Sequence, residues 1–266
     1  MAVPLSEVGR HGRLNLIISS RCGRTVIRDA YCEIPFKITR LHDSHSPEIA
    51  HLILMHSTAG LFGGDTTECT IHVESGARIL ITQQSAIKAH PSGGKRATQI
   101  NCISVANGGE LHIYYDPVIP FSRARVCQST SIDVEAGARL YFWEGLMAGR
   151  IGRGENWQFD EFSSETSLRV NGQPLFLDRF RLRPNEDLPN KEWRMATAGY
   201  LATGLCFDER AADFAERVHT LMPDAGVGID TPAPGLAVAR IVATYGPDFH
   251  RYRSLFASAL NLMKIR

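Results

Sequence analysis

Four acidic residues stand in sequence contexts that suit contact with a metal ion or a polar substrate. Asp65 closes a glycine-containing loop, and Glu144 ends a strand-like run of otherwise apolar residues. Glu155 follows a segment of glycines and arginines, and Asp178 interrupts an apolar run. Oxygen ligands of this kind can hold a metal ion weakly enough to release it. Together, the four carboxylates are candidates for lining a polar path through the protein.

Each acid also has a simpler explanation, because buried charges in proteins are usually paired. Arginines lie close in sequence to two of these acids: Arg150 and Arg153 precede Glu155, and Arg179 follows Asp178. A salt bridge to such a neighbour would make the acid structural. The sequence alone leaves both interpretations open.

Other catalytic and metal-binding motifs are incomplete. The segment 92–96, Ser-Gly-Gly-Lys-Arg, lacks the upstream glycine and the following Ser or Thr of a phosphate-binding loop. The histidines are not spaced as a metal cage, and no G-x-S-x-G motif occurs. We therefore expect no tightly bound cofactor. The alternative from a different class is a β-helical carbohydrate-active enzyme, which would need a carboxylate pair such as Glu144 and Glu155 about 5 to 10 Å apart.

Composition narrows the class of protein. The formal net charge of +1 over 266 residues gives no basic surface for nucleic acid. No apolar run approaches the length needed to cross a bilayer. The six cysteines are scattered without a C-x-x-C pair, and residues 1–18 do not read as a secretory leader. These features predict a cytoplasmic protein that binds neither nucleic acid nor membrane.

A repeated six-residue motif predicts the architecture that must position the four acids. Val73-Glu-Ser-Gly-Ala-Arg78 returns as Val134-Glu-Ala-Gly-Ala-Arg139, and a looser copy lies around Gly108. The glycines Gly76, Gly108 and Gly137 are 32 and 29 residues apart, and each is followed by an apolar strand-like run. This period is typical of stacked β-coils, in which each unit buries its apolar face against the next. We expect a mainly β fold, a β-helix-like stack of packed sheets.

The end of the chain has a different pattern. Segments 209–222 and 248–265 carry apolar residues at helical spacing, and segment 236–245 reads as a strand. We therefore expect residues 1–266 to form one domain, with the β-stack over about 1–205 and a small C-terminal α+β layer with two helices over about 206–266. The aromatic residues Phe249, Tyr252 and Phe256 should pack on the β-stack or bind a partner.

Read together, the motifs resemble those of the urease accessory protein UreD (UreH) family. The resemblance covers nearly the whole chain and rests on five segments in this order: 60–65 (GLFGGD), 81–88 (ITQQSAIK), 117–121 (PVIPF) with Ala124, Arg125 and Gln128, 143–155 (WEG and GRIGRGE), and 174–179 (PLFLDR). Two departures occur, Ser-Thr-Ala at 57–59 where the family is often proline-rich, and Ala89-His90 where an aromatic residue is usual.

The resemblance implies a β-helix-like fold and a non-enzymatic role in nickel delivery. It implies that the chain binds apo-urease and the partner UreF, and through UreF the GTPase UreG, in a complex that could be a dimer of heterocomplexes. GTP hydrolysis would belong to UreG, in agreement with the missing phosphate-binding loop. Nickel(II) would be cargo in transit, and Asp65, Glu144, Glu155 and Asp178 are the predicted contacts along its path.

Overall fold

The computed structural model describes residues 9–43, 48–187 and 198–259 of the chain. Strands β1 to β18 span, in chain order, His11–Arg21, Arg24–Cys32, Phe36–Ile38, His42–Asp43, Ala50–His56, Thr66–Val73, Arg78–Gln83, Ile87–Ala89, Ala97–Val105, Glu110–Tyr114, Val118–Pro120, Arg125–Val134, Arg139–Met147, Glu161–Val170, Gln173–Leu182, Tyr200–Phe207, Val227–Ala233 and Leu236–Ala243. Helices α1 to α3 span Pro184–Asp187, Ala211–Leu221 and Gly246–Ser258.

The strands form two sheets that face each other. The first sheet has the order β15-β14-β12-β9-β6-β1-β2, and the second has β17-β18-β16-β13-β10-β7-β5-β3. From β6 to β14 the chain alternates between the sheets, and neighbouring strands of these coils run parallel. The predicted mainly β fold of stacked coils is therefore confirmed.

The repeated phrase forms the turns that stack the coils. Gly76, Gly108 and Gly137 have φ angles of 74°, 74° and 85°, a left-handed conformation that glycine adopts without steric cost. The N–H of Gly76 donates to the carbonyl of Gly108, and that of Gly108 donates to the carbonyl of Gly137, both at 3.2 Å. Successive turns are thus hydrogen-bonded in register, which fixes the level of every strand that follows.

The same register builds a buried ion ladder on the outer face of the second sheet. Glu110 is paired laterally with Arg78 on one side and Arg139 on the other. Its carboxylate accepts bonds from Arg78 Nε at 2.9 Å and Arg139 Nη2 at 2.6 Å, and it contacts His112 Nε2 at 2.7 Å. The two repeat arginines therefore enclose the acid of the middle copy, which explains why the arginine recurs.

The C-terminal elements cover the outer face of the second sheet. Strands β16 and β18 extend that sheet beyond β13, and α2 and α3 pack against it through a second apolar cluster. The two predicted helices are present as α2 and α3, although residues 260–265 of the second lie outside the described residues. Within the segment predicted as β-stack, the structure adds α1, a single turn that begins at Pro184, where the fixed φ of proline favours a helix start.

Helix α3 is seated on two glycines of the sheet. A Cβ added to Gly145 would lie 2.6 Å from Phe249, and one added to Gly204 would lie 2.5 Å from Phe256. Both rings are fully buried, and each contacts Trp143. The absence of side chains at these two positions is what lets the helix approach the sheet closely.

We expect Gly145→Ala to destabilise the protein by about 1 to 3 kcal/mol, the usual cost of overpacking a filled core. The matched control is Gly152→Ala, because a Cβ there would meet no atom within 4 Å. Thermal unfolding of both variants checks the prediction. Equal melting temperatures for the two variants would show that α3 is not seated on this glycine.

Candidate functional site

A polar layer crosses the interior between the two sheets. Along β13 the inward positions Leu140 and Phe142 belong to one apolar cluster and Leu146 to another, and Glu144 lies between them. Strands β12 and β14 follow the same pattern, with Gln128 and Thr130 on β12 and Ser164 and Thr166 on β14 between the same two clusters. The polar side chains of several strands therefore meet at one level.

The parallel register of the coils produces this layer. Residues that pair laterally in one sheet occupy the same height and face, so polar positions in successive coils become neighbours. We define the polar layer as the inward polar residues at this level, together with the next inward residue, two positions along the strand, where that residue is also polar. Its members are Gln99, Asn101, Gln128, Thr130, Ser164, Thr166 and Asp178 from the first sheet, and Gln83, Tyr115, Glu144, Thr203 and Arg240 from the second.

Glu144 connects the two sheets at the centre of the layer. Its Oε2 accepts a hydrogen bond from Gln128 Nε2 at 2.7 Å, and its Oε1 accepts one from the Thr166 hydroxyl. Both donors belong to the first sheet, whereas Glu144 belongs to the second. Neither donor is charged, and none of the ion pairs among the described residues includes Glu144. The carboxylate is thus buried with hydrogen bonds but forms no direct ion pair among the described residues.

This environment makes Glu144 a proton-exchanging group near neutral pH. Burial raises the pKa of Glu144 to about 7, and the nearby charge of Asp178 adds to that effect. The hydrogen bonds from Thr166 and Gln128 and the positive charge of Arg240 act in the opposite direction because they stabilise the ionised form. A divalent cation would compete with the proton for this carboxylate, so ion binding here is coupled to pH.

Two cavities meet at Glu144. The larger, of about 280 Å³, is lined by Glu144, Ser164, Asp178, Thr203 and Arg240 among mainly apolar side chains. The smaller, of about 30 Å³, is about the size of one water molecule. Besides Gln128 and Glu144, its polar lining is Gln83, Gln99, Asn101, Tyr115 and Asp116.

Gln128, Glu144 and Gly145 line both cavities and therefore form part of the wall between them. Glu144 and Asp178 are the two predicted acids that the structure brings together, since both line the larger cavity. Asp178 forms a 2.5 Å salt bridge with Arg240. The neighbour Arg179 pairs instead with Glu165 at 2.7 Å, which corrects the idea that Arg179 would neutralise Asp178. Adjacent residues of a strand point to opposite faces, so the side chains of Asp178 and Arg179 are directed away from each other.

Asp65 and Glu155 lie elsewhere and have structural partners. Asp65 accepts backbone N–H bonds from Arg10 and Phe62, both at 2.9 Å, and so ties the glycine loop to the start of β1. Glu155 pairs with Arg150, which lowers the pKa of its carboxyl, and it accepts the N–H of Ser122. Neither acid lines the two cavities that meet at Glu144.

The geometry therefore does not assemble the carboxylate pair that the carbohydrate-active alternative requires. Glu144 lies between the sheets, whereas Glu155 lies in the loop after β13. Glu155 is engaged by Arg150 and by the backbone N–H of Ser122, and it lines neither of the cavities that Glu144 lines.

The predicted aromatic set Phe249, Tyr252 and Phe256 packs on the β-stack. All three residues are buried, and the phenylalanine rings contact Trp143, Tyr200 and other aromatic side chains of the sheet and of α2. Any role of these residues in partner binding would act through the position of α3 rather than through exposed rings.

Sequence reasoning missed most of the polar layer. Gln99, Gln128 and Thr166 are uncharged, and Arg240 lies in a segment predicted only as a strand. The usable signal was the alternation itself. The inward positions of β12 begin with Val126 and end with Ile132, and the polar residues Gln128 and Thr130 interrupt this apolar row. Within residues 9–43, 48–187 and 198–259, no group of three or more His, Cys, Asp or Glu side chains is arranged to hold a metal ion.

Comparison with known proteins finds relatives that cover most of the chain. The chain is 32% identical over 180 residues to the urease accessory protein UreD of Nostoc punctiforme, covering 68% of this chain and 64% of that protein, just under two thirds. It is 33% identical over 261 residues to UreD of Deinococcus radiodurans, covering 95% and 91% of the two chains. It is 28% identical over 253 residues to UreD of Mycolicibacterium gilvum, covering 91% of each.

The fold and site define a stacked-coil β protein whose interior carries a polar layer around a buried carboxylate. The family model described as "UreD urease accessory protein" matches residues 10–265. The chain belongs to the UreD family of urease accessory proteins.

Ionisation of Glu144 should make stability depend on pH in a defined direction. Its folded pKa lies above that of an unfolded glutamate, so the native state keeps a proton that the unfolded state loses between about pH 4.5 and 7. Stability is therefore lost as pH rises through this window, by about 3 kcal/mol for this residue. In Glu144→Gln that loss should be absent.

Denaturant unfolding of the wild type and Glu144→Gln at pH 5 to 8 measures this effect as a difference. The difference removes contributions common to both proteins, such as that of His56, whose pKa burial lowers to about 4. The variant should gain stability relative to the wild type as pH rises. A difference that is constant over the range would mean that Glu144 does not titrate there.

Proposed function

We propose that this chain is a non-catalytic urease maturation factor and that nickel(II) passes to apo-urease through the polar layer. The observation that carries the proposal is Glu144, a buried carboxylate that forms no direct ion pair among the described residues and lies where two cavities meet. Burying such a group costs free energy, so a functional reason for keeping it is expected.

The donors of the layer suit an ion in transit. Carboxylate, amide and hydroxyl oxygens bind a divalent transition-metal ion less firmly than a cluster of thiolates and imidazoles. The layer offers one carboxylate at its centre and neutral oxygens on either side, which supports successive weak contacts rather than a storage site. Nickel is here the cargo of the protein.

The proposed partners follow from membership of the family. We propose that the chain binds apo-urease and UreF, and through UreF the GTPase UreG, in the cytoplasm, with a dimer of heterocomplexes as the candidate assembly. GTP hydrolysis is assigned to UreG because segment 92–96 lacks a complete phosphate-binding loop. Among the described residues, no helix combines the length and hydropathy needed to cross a lipid bilayer.

Glu144→Gln is the test of the path. The amide keeps the size of the side chain but lacks the negative charge that attracts the ion. We expect urease matured with this variant to contain less nickel, while the variant keeps its fold and its partners. The measurements are the nickel content of purified urease after co-expression, co-elution of the accessory proteins and thermal unfolding.

Glu165→Gln is the matched control, because Glu165 lies on the outer face of β14 and pairs with an exposed arginine. It should leave the nickel content of urease unchanged. If Glu144→Gln matures urease with full nickel, or lowers nickel only by losing its fold or its partners, Glu144 is structural and the proposed path is wrong.

A further inference from the structure

The polar layer ends at an aspartate–arginine pair on each side. At the larger cavity, Arg240 of β18 reaches across to Asp178 of β15 in the other sheet. The same Arg240 Nη1 donates to the Thr203 hydroxyl at 2.6 Å, and the guanidinium lies 5.7 Å from the centre of the Phe176 ring. The arginine therefore spans the opening between the two sheets and contacts the layer directly.

The second pair lies at the smaller cavity. Asp116 lines that cavity and forms a salt bridge with Arg253 of α3. Both side chains are largely buried, with 16% and 13% of their surfaces exposed, and the Nε of Arg253 has no hydrogen-bond partner among the described residues. A guanidinium with an unsatisfied buried donor is held less firmly than one whose donors are all paired.

The small cavity also contains oxygen atoms without partners. Gln99, only 6% exposed, and Gln83 both line it, and the Oε1 atom of each lacks a hydrogen-bond donor among the described residues. Unsatisfied buried acceptors are rare in native proteins. Two of them beside Asp116 and Glu144 provide oxygen atoms that can act as ligands for a divalent cation.

We propose that Arg240 and Arg253 are the two gates of the polar layer. Each guanidinium forms a salt bridge with the aspartate at one end of the layer. A divalent cation enters or leaves by displacing the guanidinium from that aspartate. A resident positive charge at both ends keeps the aspartates neutralised, so the empty layer neither traps the ion nor stays open to other cations. The inference rests on the proposed nickel path and adds Asp116, Arg240 and Arg253 to it.

The test is direct binding of Ni²⁺ to the full chain by isothermal titration calorimetry. Removing a gate as Arg240→Met or Arg253→Met frees Asp178 or Asp116 for the ion. The wild type should bind Ni²⁺ weakly, and each variant should bind it at least tenfold more tightly. Thermal unfolding verifies that each variant is folded.

Two arginines close to the gates provide matched controls. Arg179 lies on β15 beside Asp178 but pairs with Glu165, and Arg251 lies on α3 but pairs with Asp224. Arg179→Met and Arg251→Met should bind Ni²⁺ like the wild type. The gain in affinity should also vanish when Arg240→Met is combined with Asp178→Asn, or Arg253→Met with Asp116→Asn.

Unchanged Ni²⁺ affinity in both gate variants, or an equal gain in the controls, overturns the gates. Should Arg253→Met fail to fold, the neutral but polar Arg253→Gln takes its place, and it too must bind Ni²⁺ more tightly than the wild type. The outcome is separate from that of the path itself. Gate variants that bind like the wild type, beside a Glu144→Gln variant that still lowers urease nickel, disprove the gates but not the path.

Discussion

The hydrogen bonds from Gln128 and Thr166 to the Glu144 carboxylate are the contacts on which the interior depends. A carboxylate between two sheets must be solvated by protein groups, because no apolar surrounding can stabilise its charge. The donors therefore have to come from the opposite sheet at the same level. Once they are present, the apolar core is divided into two clusters, one toward the stacked turns and one toward the loops after β13.

The stacked coils make such a layer possible with few specific residues. Parallel pairing at a fixed register gives each coil one inward position at the level of Glu144, and the hydrogen-bonded turns at Gly76, Gly108 and Gly137 hold that level. The C-terminal helix α3, on the outer face of the second sheet, contacts the same level of the structure. Gly145, which follows Glu144, lines both cavities on one side and seats Phe249 on the other. A movement of α3 would thus shift Gly145 in the wall of the polar layer. Through Arg253, it would also shift one end of that layer.

Much of the fold was available from the sequence, and only part of the site. The repeated phrase predicted the stacked coils because a glycine at a left-handed turn and an alternating strand leave a strong local signal. Glu144 and Asp178 were found because an acid in an apolar run is conspicuous. Asp65 and Glu155 stood out equally, yet their carboxylates serve a backbone turn and a local arginine. That difference depends on which face and which neighbours the fold provides. The partner of Asp178 illustrates this, since Arg240 lies 62 residues away and enters only through the pairing of β16 with β18.

The most direct test of the central claim is to narrow the larger cavity with a bulkier side chain and to measure the nickel content of the urease that is matured. Ser164 faces the larger cavity, whereas its neighbour Ser163 faces outward on the same strand. Ser164→Leu adds apolar volume inside a cavity of about 280 Å³ without removing a hydrogen bond to Glu144. The account predicts that urease matured with Ser164→Leu lacks most of its nickel although the complex forms, and that Ser163→Leu supports full loading. Full nickel loading with a folded Ser164→Leu variant would contradict it.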